Sequence, residues 1–453
     1  LDDILNLDGL KVTQVQEKDN DYYITVETTE KPDYCPHCGD ITTNFIKNGT
    51  KKQLFMDLPI HAKRVGIMIK RQRYKCQSCF STFVEELPMM DAHRNATVRL
   101  VDYISQQSME RTYASIAKDV GVDEKTVRNI FNEYVETLRN NNKFETPRWM
   151  GIDEIYIIKK PRGVIANIKE NTLVDILPNR NKETMARYFM FLPGRKDVEL
   201  VTMDMWLPYR DLVSIYMPQA TVVVDKFHVT RMANNSLETI RKDTAKESKP
   251  KSTKKEKDEI VREWKRNRKL LLMRRDQINP FKDTEAHLTV QNWLADNPTL
   301  KEAYDLKEEF FEVYDFILRE DALAAYQEWL YKVNNSSVKY AFKPLVTAMT
   351  NWETEIFNYF DCNRVTNAYT ESLNNLIRTV NRAGRGYSFE ALRAKMLYVA
   401  GAHKKATPKF DKQTYKDNMI NNLLVSGYSQ NYLQSDFGVE ISTLVDLLEQ
   451  DKF

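Results

Sequence analysis

Residues 150–228 read MGIDEIYIIKKPRGVIANIKENTLVDILPNRNKETMARYFMFLPGRKDVELVTMDMWLPYRDLVSIYMPQATVVVDKFH. The apolar run at 150–158 predicts a buried strand carrying Asp153, and 164–169 and 172–177 predict two more, joined by a turn at Glu170-Asn171. Helical spacing follows at 181–192, a fourth strand at 198–203 ends at Asp204, and a second helix spans 207–217. A fifth strand at 221–224 runs into Asp225-Lys226-Phe227-His228. Three strands, helix, strand, helix, strand is the order of the ribonuclease-H-like fold. In that fold, catalytic carboxylates stand on the first strand and just after the fourth, and a third comes from a later helix. The count points to Asp153 and Asp204, while Asp225 remains the alternative for the second position. Carboxylates suit this chemistry because hard divalent cations prefer oxygen ligands.

Downstream, 235–350 is helical in pattern without convincing strand pairs, so it reads as an all-helical insertion. Residues 363–380, NRVTNAYTESLNNLIRTV, then place Glu371 on a helix that Asn367 could cap. Asn374, Asn375 and Arg378 would share its face as a polar, DNA-facing surface. Glu353 and Glu355 precede that helix and lack its polar neighbours, and Asp175 lies on the third strand, where no ligand is expected. In the following NRAGRGYSF, glycines form a turn close to the expected site, and Arg382 and Arg385, with Arg378 upstream, suit phosphate contact.

Upstream, Cys35-Pro-His-Cys38-Gly and Cys76-Gln-Ser-Cys79 form two knuckles, which together complete a tetrahedral thiolate shell for structural Zn²⁺. Gly39 supplies the permissive backbone, and His37 and His61 are read as bystanders. Between the knuckles Val65, Ile67 and Ile69 alternate as in a strand flanked by basic residues, giving a zinc-ribbon-like module. Residues 112–134 then read as a helix-turn-helix. Ile116, Ala117 and Val120 make one stripe, Gly121 the turn, Asp123 the second N-cap, and Val127, Ile130, Phe131 and Tyr134 the core face. Lys125, Thr126, Arg128 and Asn129 are left outward, where side chains of this type reach DNA. A polar linker at 140–147 precedes the catalytic strands.

The expected class is therefore multidomain α/β. Its divisions are a zinc-binding module at 1–90, a helix-turn-helix at 91–140 and a ribonuclease-H-like domain at 146–234. A helical insertion follows at 235–350, then the glutamate-bearing second part of the catalytic domain at 351–410 and a helical tail at 411–453. The net charge of +3 hides a cluster at 241–275 with 15 Lys/Arg against 6 Asp/Glu, which reads either as a polyanion-binding strip or as a solvated helical surface. Trp264 within it reads either as a base-stacking or as a core residue, and the fifth cysteine, Cys362, as a small buried side chain. No stretch offers the roughly 18 apolar residues of a membrane span. The start, LDDILNLDGL, lacks Met, as a trimmed chain would, and lacks the basic head of a secretory signal, so a cytoplasmic, nucleoid-associated location is expected.

Taken together, CPHCG, CQSC, GIDE at Asp153, VVVDKFHV around Asp225 and NAYTESLNNLIRTVNRAGRGYSF around Glu371 resemble the ISL-three family of bacterial insertion-sequence transposases over nearly the whole chain. The resemblance implies an Asp-Asp-Glu enzyme that binds the inverted repeats of an element and cuts and joins double-stranded DNA, with Glu371 as the hallmark glutamate. Asp153, Asp204 and Glu371 are then expected to hold two Mg²⁺ or Mn²⁺ ions, and a homodimer or larger assembly to pair two element ends. Related transposases carry a Cys-or-Asp, two residues, His motif, which Asp225 and His228 match in an accessory role. A DNA-binding regulator or retired transposase is the alternative, and a nuclease that cuts without joining is a second.

Overall fold

The computed structural model describes residues 5–41, 45–141, 144–247, 262, 264–266, 268–278, 281 and 283–402. The expected tail at 411–453 and part of the basic cluster lie outside these residues.

The first sheet contains β1 (Leu10–Lys18), β2 (Asp21–Thr28), β3 (Phe45–Ile60), β4 (Lys63–Cys76) and β5 (Thr82–Val84), in the order β1-β2-β4-β3 with β5 on β4. The alternation seen in the sequence falls on β4, whose Val65, Ile67 and Ile69 are buried with Ile24, Val26 and Phe55. His61 and Ala62 both take positive φ and close the β3–β4 hairpin as a two-residue turn. Beyond it stand α1 (Val98–Glu110), α2 (Tyr113–Val120) and α3 (Glu124–Asn141). Thr97 caps α1, and its hydroxyl also donates to the fully buried Asp57 of β3 at 2.6 Å. Arg99 Nε donates to the same carboxylate at 2.8 Å, so this buried charge has the partners it needs.

The second sheet is built from β6 (Trp149–Ile157), β7 (Lys160–Asn167), β8 (Thr172–Ile176), β9 (Leu200–Met203) and β10 (Thr221–Val224). Its order is β10-β9-β6-β7-β8, with β6, β9 and β10 mutually parallel and β7 and β8 antiparallel. Ile158 and Lys159, both at positive φ, make a tight β6–β7 turn, so β7 starts four residues before the expected strand. Helices α4 (Lys182–Phe191) and α5 (Leu207–Tyr216) connect the strands.

After β10 come α6 (Lys226–Glu247), α7 (Arg268–Leu272), α8 (Thr284–Asp296), α9 (Pro298–Val313), α10 (Arg319–Asn335), α11 (Lys339–Asn351) and α12 (Glu353–Asp361). Their apolar faces continue the core of the second sheet. Asn358 Nδ2 of α12 donates to the Val222 carbonyl at 2.8 Å, which covers the β10 edge. The last described helices are α13 (Ala368–Ala383) and α14 (Phe389–Lys395). Among the described residues, no helix is long and apolar enough to cross a membrane.

The described residues of the basic cluster settle the place of Trp264 and the partners of four of its arginines. Trp264 is buried and stacks on Trp293 at 4.3 Å between ring centroids, so it is a core residue, not a base-stacking one. Arg241 and Arg268 pair with Glu238, Arg274 with Asp315 and Arg275 with Asp305, so these cations are already engaged within the protein.

Candidate functional site

The parallel register sets the site. Gly151 lies opposite Thr202 and Val224 opposite Met203. Continued by two residues and one residue respectively, the register brings Asp153, Asp204 and Asp225 to one level across three neighbouring strands. Sequence counting left Asp204 and Asp225 as rivals, but the sheet brings both to the same place.

Asp225 is followed at once by α6, whose first turn places His228 three residues on, on the same face. His228 Nε2 lies 3.0 Å from Asp204 Oδ1. Single ligand atoms of Asp204, Asp225 and His228 all fall within 4.8 Å of one another. Asp225 is buried, and its Oδ1 accepts from the Asn367 backbone N–H at 3.2 Å. Its Oδ2 is buried with no donor, and Asp204 Oδ1 also has none in hydrogen-bonding geometry despite the neighbouring imidazole. Buried carboxylate oxygens without donors are costly unless a proton or a cation offsets their desolvation.

Glu371 arrives on the first turn of α13, near enough to this cluster for its charges to be felt. Two features position that helix. A Cβ on Gly151 would come within 2.6 Å of Thr370 Oγ1 and 2.8 Å of Asn367 Oδ1, so glycine alone permits α13 to lie this close to β6. Asn367 is fully buried. Its Oδ1 accepts from Thr370 at 2.6 Å and Thr202 at 3.1 Å, while its Nδ2 donates to the Ile152 carbonyl at 3.4 Å. It stands at the N-cap position but makes no side-chain cap bond. Instead it ties α13 to β6, β9 and the end of β10.

Asn374 departs from expectation. Rather than facing outward as a DNA surface, it is buried, and its Nδ2 donates to Asp153 Oδ2 at 2.7 Å. Asn375 and Arg378 are exposed and bonded to each other at 3.2 Å. Sequence reasoning named Asn367 and Asn374 but gave them other roles, a helix cap and a DNA-facing surface, and missed their place in the site. The helical spacing of Asn367, Glu371 and Asn374 was the signal available for finding them.

The electrostatics fit a cation site. Burial, then the neighbouring Asp204 charge, pushes the Asp153 carboxyl up to about 7. Burial raises Asp225 as well, and burial followed by the Asp225 charge raises Glu371. Burial works to lower His228, but the Asp204 carboxylate beside it outweighs burial and raises the imidazole above its usual value. Beside the cluster opens a cleft of about 340 Å³ lined by Glu154, Arg180, Trp206, Tyr209, His228 and Arg231.

Other candidates fall elsewhere. Asp175 forms a two-bond pair with Arg393 of α14, at 2.7 and 2.9 Å. Glu355 pairs with Arg210, and Glu353 is exposed on α12. Cys362 is half-buried against the core. The NRAGRGYSF loop is not close to the carboxylates, because Arg382 lies eleven residues along α13 from Glu371, roughly 16 Å at 1.5 Å per residue. There Tyr387 folds against Gly384, where a Cβ would meet its ring at 2.0 Å, and approaches Tyr113 of α2. Arg382 and Arg385 are exposed at that end, beside the helix-turn-helix.

At the knuckles, Cys35, Cys38, Cys76 and Cys79 converge with sulfurs within 4.8 Å of one another. Cys35–Cys79 and Cys38–Cys76 are each 3.8 Å apart, matching the edge of about 3.8 Å set by a tetrahedron of 2.3 Å Zn–S bonds. The set fits structural zinc. Gly39 at φ +71° and Phe80 at φ +59° occupy the same place after each second cysteine, so the left-handed turn recurs in both knuckles. His37 and His61 are outside the set.

In the helix-turn-helix, Gly121 ends α2 at φ +77°, and Asp123 accepts from the Thr126 N–H and hydroxyl at 2.8 and 2.7 Å. A cap of this kind contributes about 1 kcal/mol. It engages the Thr126 hydroxyl locally, whereas Lys125, Arg128 and Asn129 are exposed on α3, Arg128 in an ion pair with Glu124. Val127, Ile130, Phe131 and Val135 form the buried face, and Tyr134 is only half-buried.

Comparison with known proteins matches this layout segment by segment. Residues 31–79 match the zinc-finger of transposase IS204/IS1001/IS1096/IS1165, residues 85–135 the helix-turn-helix domain of transposase family ISL3, and residues 150–396 the family's transposase domain. The transposase for insertion sequence element IS1001 of Bordetella parapertussis is 23% identical over 376 residues, covering 80% of this chain and 87% of that one. The chain belongs to the ISL3 family of transposases.

Proposed function

We propose that this transposase cuts and joins DNA at the terminal inverted repeats of its element, through Asp153, Asp204 and Glu371 on a ribonuclease-H-like sheet interrupted after β10 by the helical segment. The observation that carries the reading is the convergence of Asp153, Asp204 and Asp225 at one level of the parallel strands, with Glu371 delivered by α13. Asp153, Asp204 and Glu371 would hold two Mg²⁺ or Mn²⁺ ions. Bound there, the ions would lower the pKa of the attacking water or 3′-hydroxyl and neutralise charge on the leaving oxygen.

The chain's own residues do the rest. Asn374 orients the Asp153 carboxylate through its Nδ2, and Asn367 fixes the helix that presents Glu371. His228 stands beside Asp204, and Arg231 brings positive charge to Glu371. The zinc module and the exposed face of α3, with Lys125, Arg128 and Asn129, bind the end DNA. Arg378 and Arg382 on α13 and Arg385 just past its end run toward the helix-turn-helix and suit phosphates between the reading head and the scissile bond. Two copies are needed to pair two ends.

The test is a cleavage and strand-transfer assay on element-end DNA with Mg²⁺ or Mn²⁺, comparing wild type with Asp153→Asn, Asp204→Asn and Glu371→Gln. Each variant is expected to lose at least about a hundredfold in rate while binding end DNA as wild type does, since a lost metal ligand removes several kcal/mol of transition-state stabilisation. Wild-type protein that binds the ends and never cuts them would move the reading to a DNA-binding regulator. Cutting without joining would move it to a nuclease.

A further inference from the structure

We infer that Asp204, Asp225 and His228 form a divalent-cation site of mixed oxygen and nitrogen donors, with Asp204 shared between it and the Asp153–Glu371 side. The inference rests on the proposed function above and deepens it, since it makes Asp225 and His228 metal ligands in their own right.

Three observations carry it. The three side chains offer ligand atoms within 4.8 Å of one another, close enough to be spanned by one ion. Asp225 is 1% exposed and its Oδ2 has no donor, so one carboxylate oxygen is dry and unsatisfied after its partner oxygen has taken the Asn367 N–H. The register leaves Asp204 in the middle of the row, between Asp153 and Asp225. His228 Nε2 lies 3.0 Å from Asp204 Oδ1, so a nitrogen donor stands beside the two carboxylates. A cation held there would reach that nitrogen and both aspartates at once.

The donor set fixes the ion class. Mg²⁺ favours an all-oxygen octahedron, whereas Mn²⁺ and the later first-row ions accept an imidazole nitrogen with rising affinity along the series. The site should therefore take Mn²⁺ in preference to Mg²⁺. It should be blocked by excess Zn²⁺, which binds the same donors more tightly.

The experiment is Mn²⁺ titration of the zinc-loaded full chain without DNA, followed by pulsed electron paramagnetic resonance for nitrogen coupled to the bound ion. Wild type is expected to show ¹⁴N modulation. His228→Gln, at a half-buried position, should abolish it and weaken Mn²⁺ binding at least about tenfold while its thermal melt matches wild type. Asp153→Asn should keep the modulation. Because Asp225 is buried, Asp225→Asn is read only if its thermal melt matches wild type, and it should then weaken Mn²⁺ as His228→Gln does. Wild-type Mn²⁺ without ¹⁴N modulation, or modulation unchanged in His228→Gln, overturns the inference. Neither result touches the triad, whose own failure shows as Asp153→Asn and Glu371→Gln cleaving at the wild-type rate.

Discussion

At the scale of single residues, the site depends on one absent side chain as much as on the carboxylates. Gly151 has ordinary strand geometry, so its value is space rather than conformation. In Gly151→Ala the new methyl would overlap Ile168 Cδ1, Thr370 Oγ1 and Asn367 Oδ1, all within 2.8 Å. Overpacking of this kind costs about 1–3 kcal/mol, and here relief requires α13 to move away from β6. The variant should melt lower, and its cleavage rate should fall far more than its DNA affinity, as measured by denaturation and by end-DNA binding. A variant with wild-type cleavage would show that the α13–β6 spacing does not matter. Asp153, Asp204, Asp225, His228 and Glu371 were all legible as residue types in motifs. Asn374 was misjudged because a polar side chain on an amphipathic helix looks solvent-facing until its buried partner, Asp153, is known.

At the scale of elements, strand periods and helix caps were largely written in the sequence. Gly121 and Asp123 each take the role that backbone freedom or side chain dictates. The β6–β7 turn was not legible, because Ile158 and Lys159 adopt left-handed φ without the Asn-Gly signal that usually marks it. Lys395 of α14 was also invisible. It is buried, donates to the Ser108 and Arg111 carbonyls at the end of α1, and lies over the rings of Tyr113, Phe131 and Tyr387. Burial lowers its pKa from 10.5 to about 8. The unfolded chain therefore binds more protons than the folded one between about pH 8 and 10.5, so this residue makes stability rise with pH across that window, by up to about 3 kcal/mol. Lys395→Met should remove the rise. The observable is the wild-type-minus-variant difference in melting free energy at pH 7.5 and pH 10, and a difference that does not change with pH would contradict the assignment.

At the scale of the whole molecule, the zinc knuckles sit at one end of the long β3–β4 hairpin, and the other end packs on α1 through Asp57 and Met56. The apolar cluster beside the cysteines is small, with Tyr74 and Phe83 its buried aromatics and Phe45 half-buried beside them. Metal binding must then supply much of the local folding energy. Removing zinc with a strong chelator should expose 31–79 to proteolysis and weaken end-DNA binding, while the second sheet keeps its protection in hydrogen exchange. Uniform loss of protection over the chain would show that the zinc module supports the whole fold.

The sequence by itself determined the zinc ligands, the helix-turn-helix and the strand and helix order that brings in Asp153 and Asp204, because these follow from local spacing and periodicity. It also supplied the family, through motifs spread along the chain. Only the tertiary structure decided that Asp204 and Asp225 stand side by side, that Asn374 belongs to Asp153, that Trp264 is core, and that the loop arginines lie away from the carboxylates. Those facts depend on strand register and helix packing between residues up to 221 positions apart, as Asn374 and Asp153 are. Contacts at that separation leave no periodic trace in a single chain, since many partners would satisfy the same local pattern.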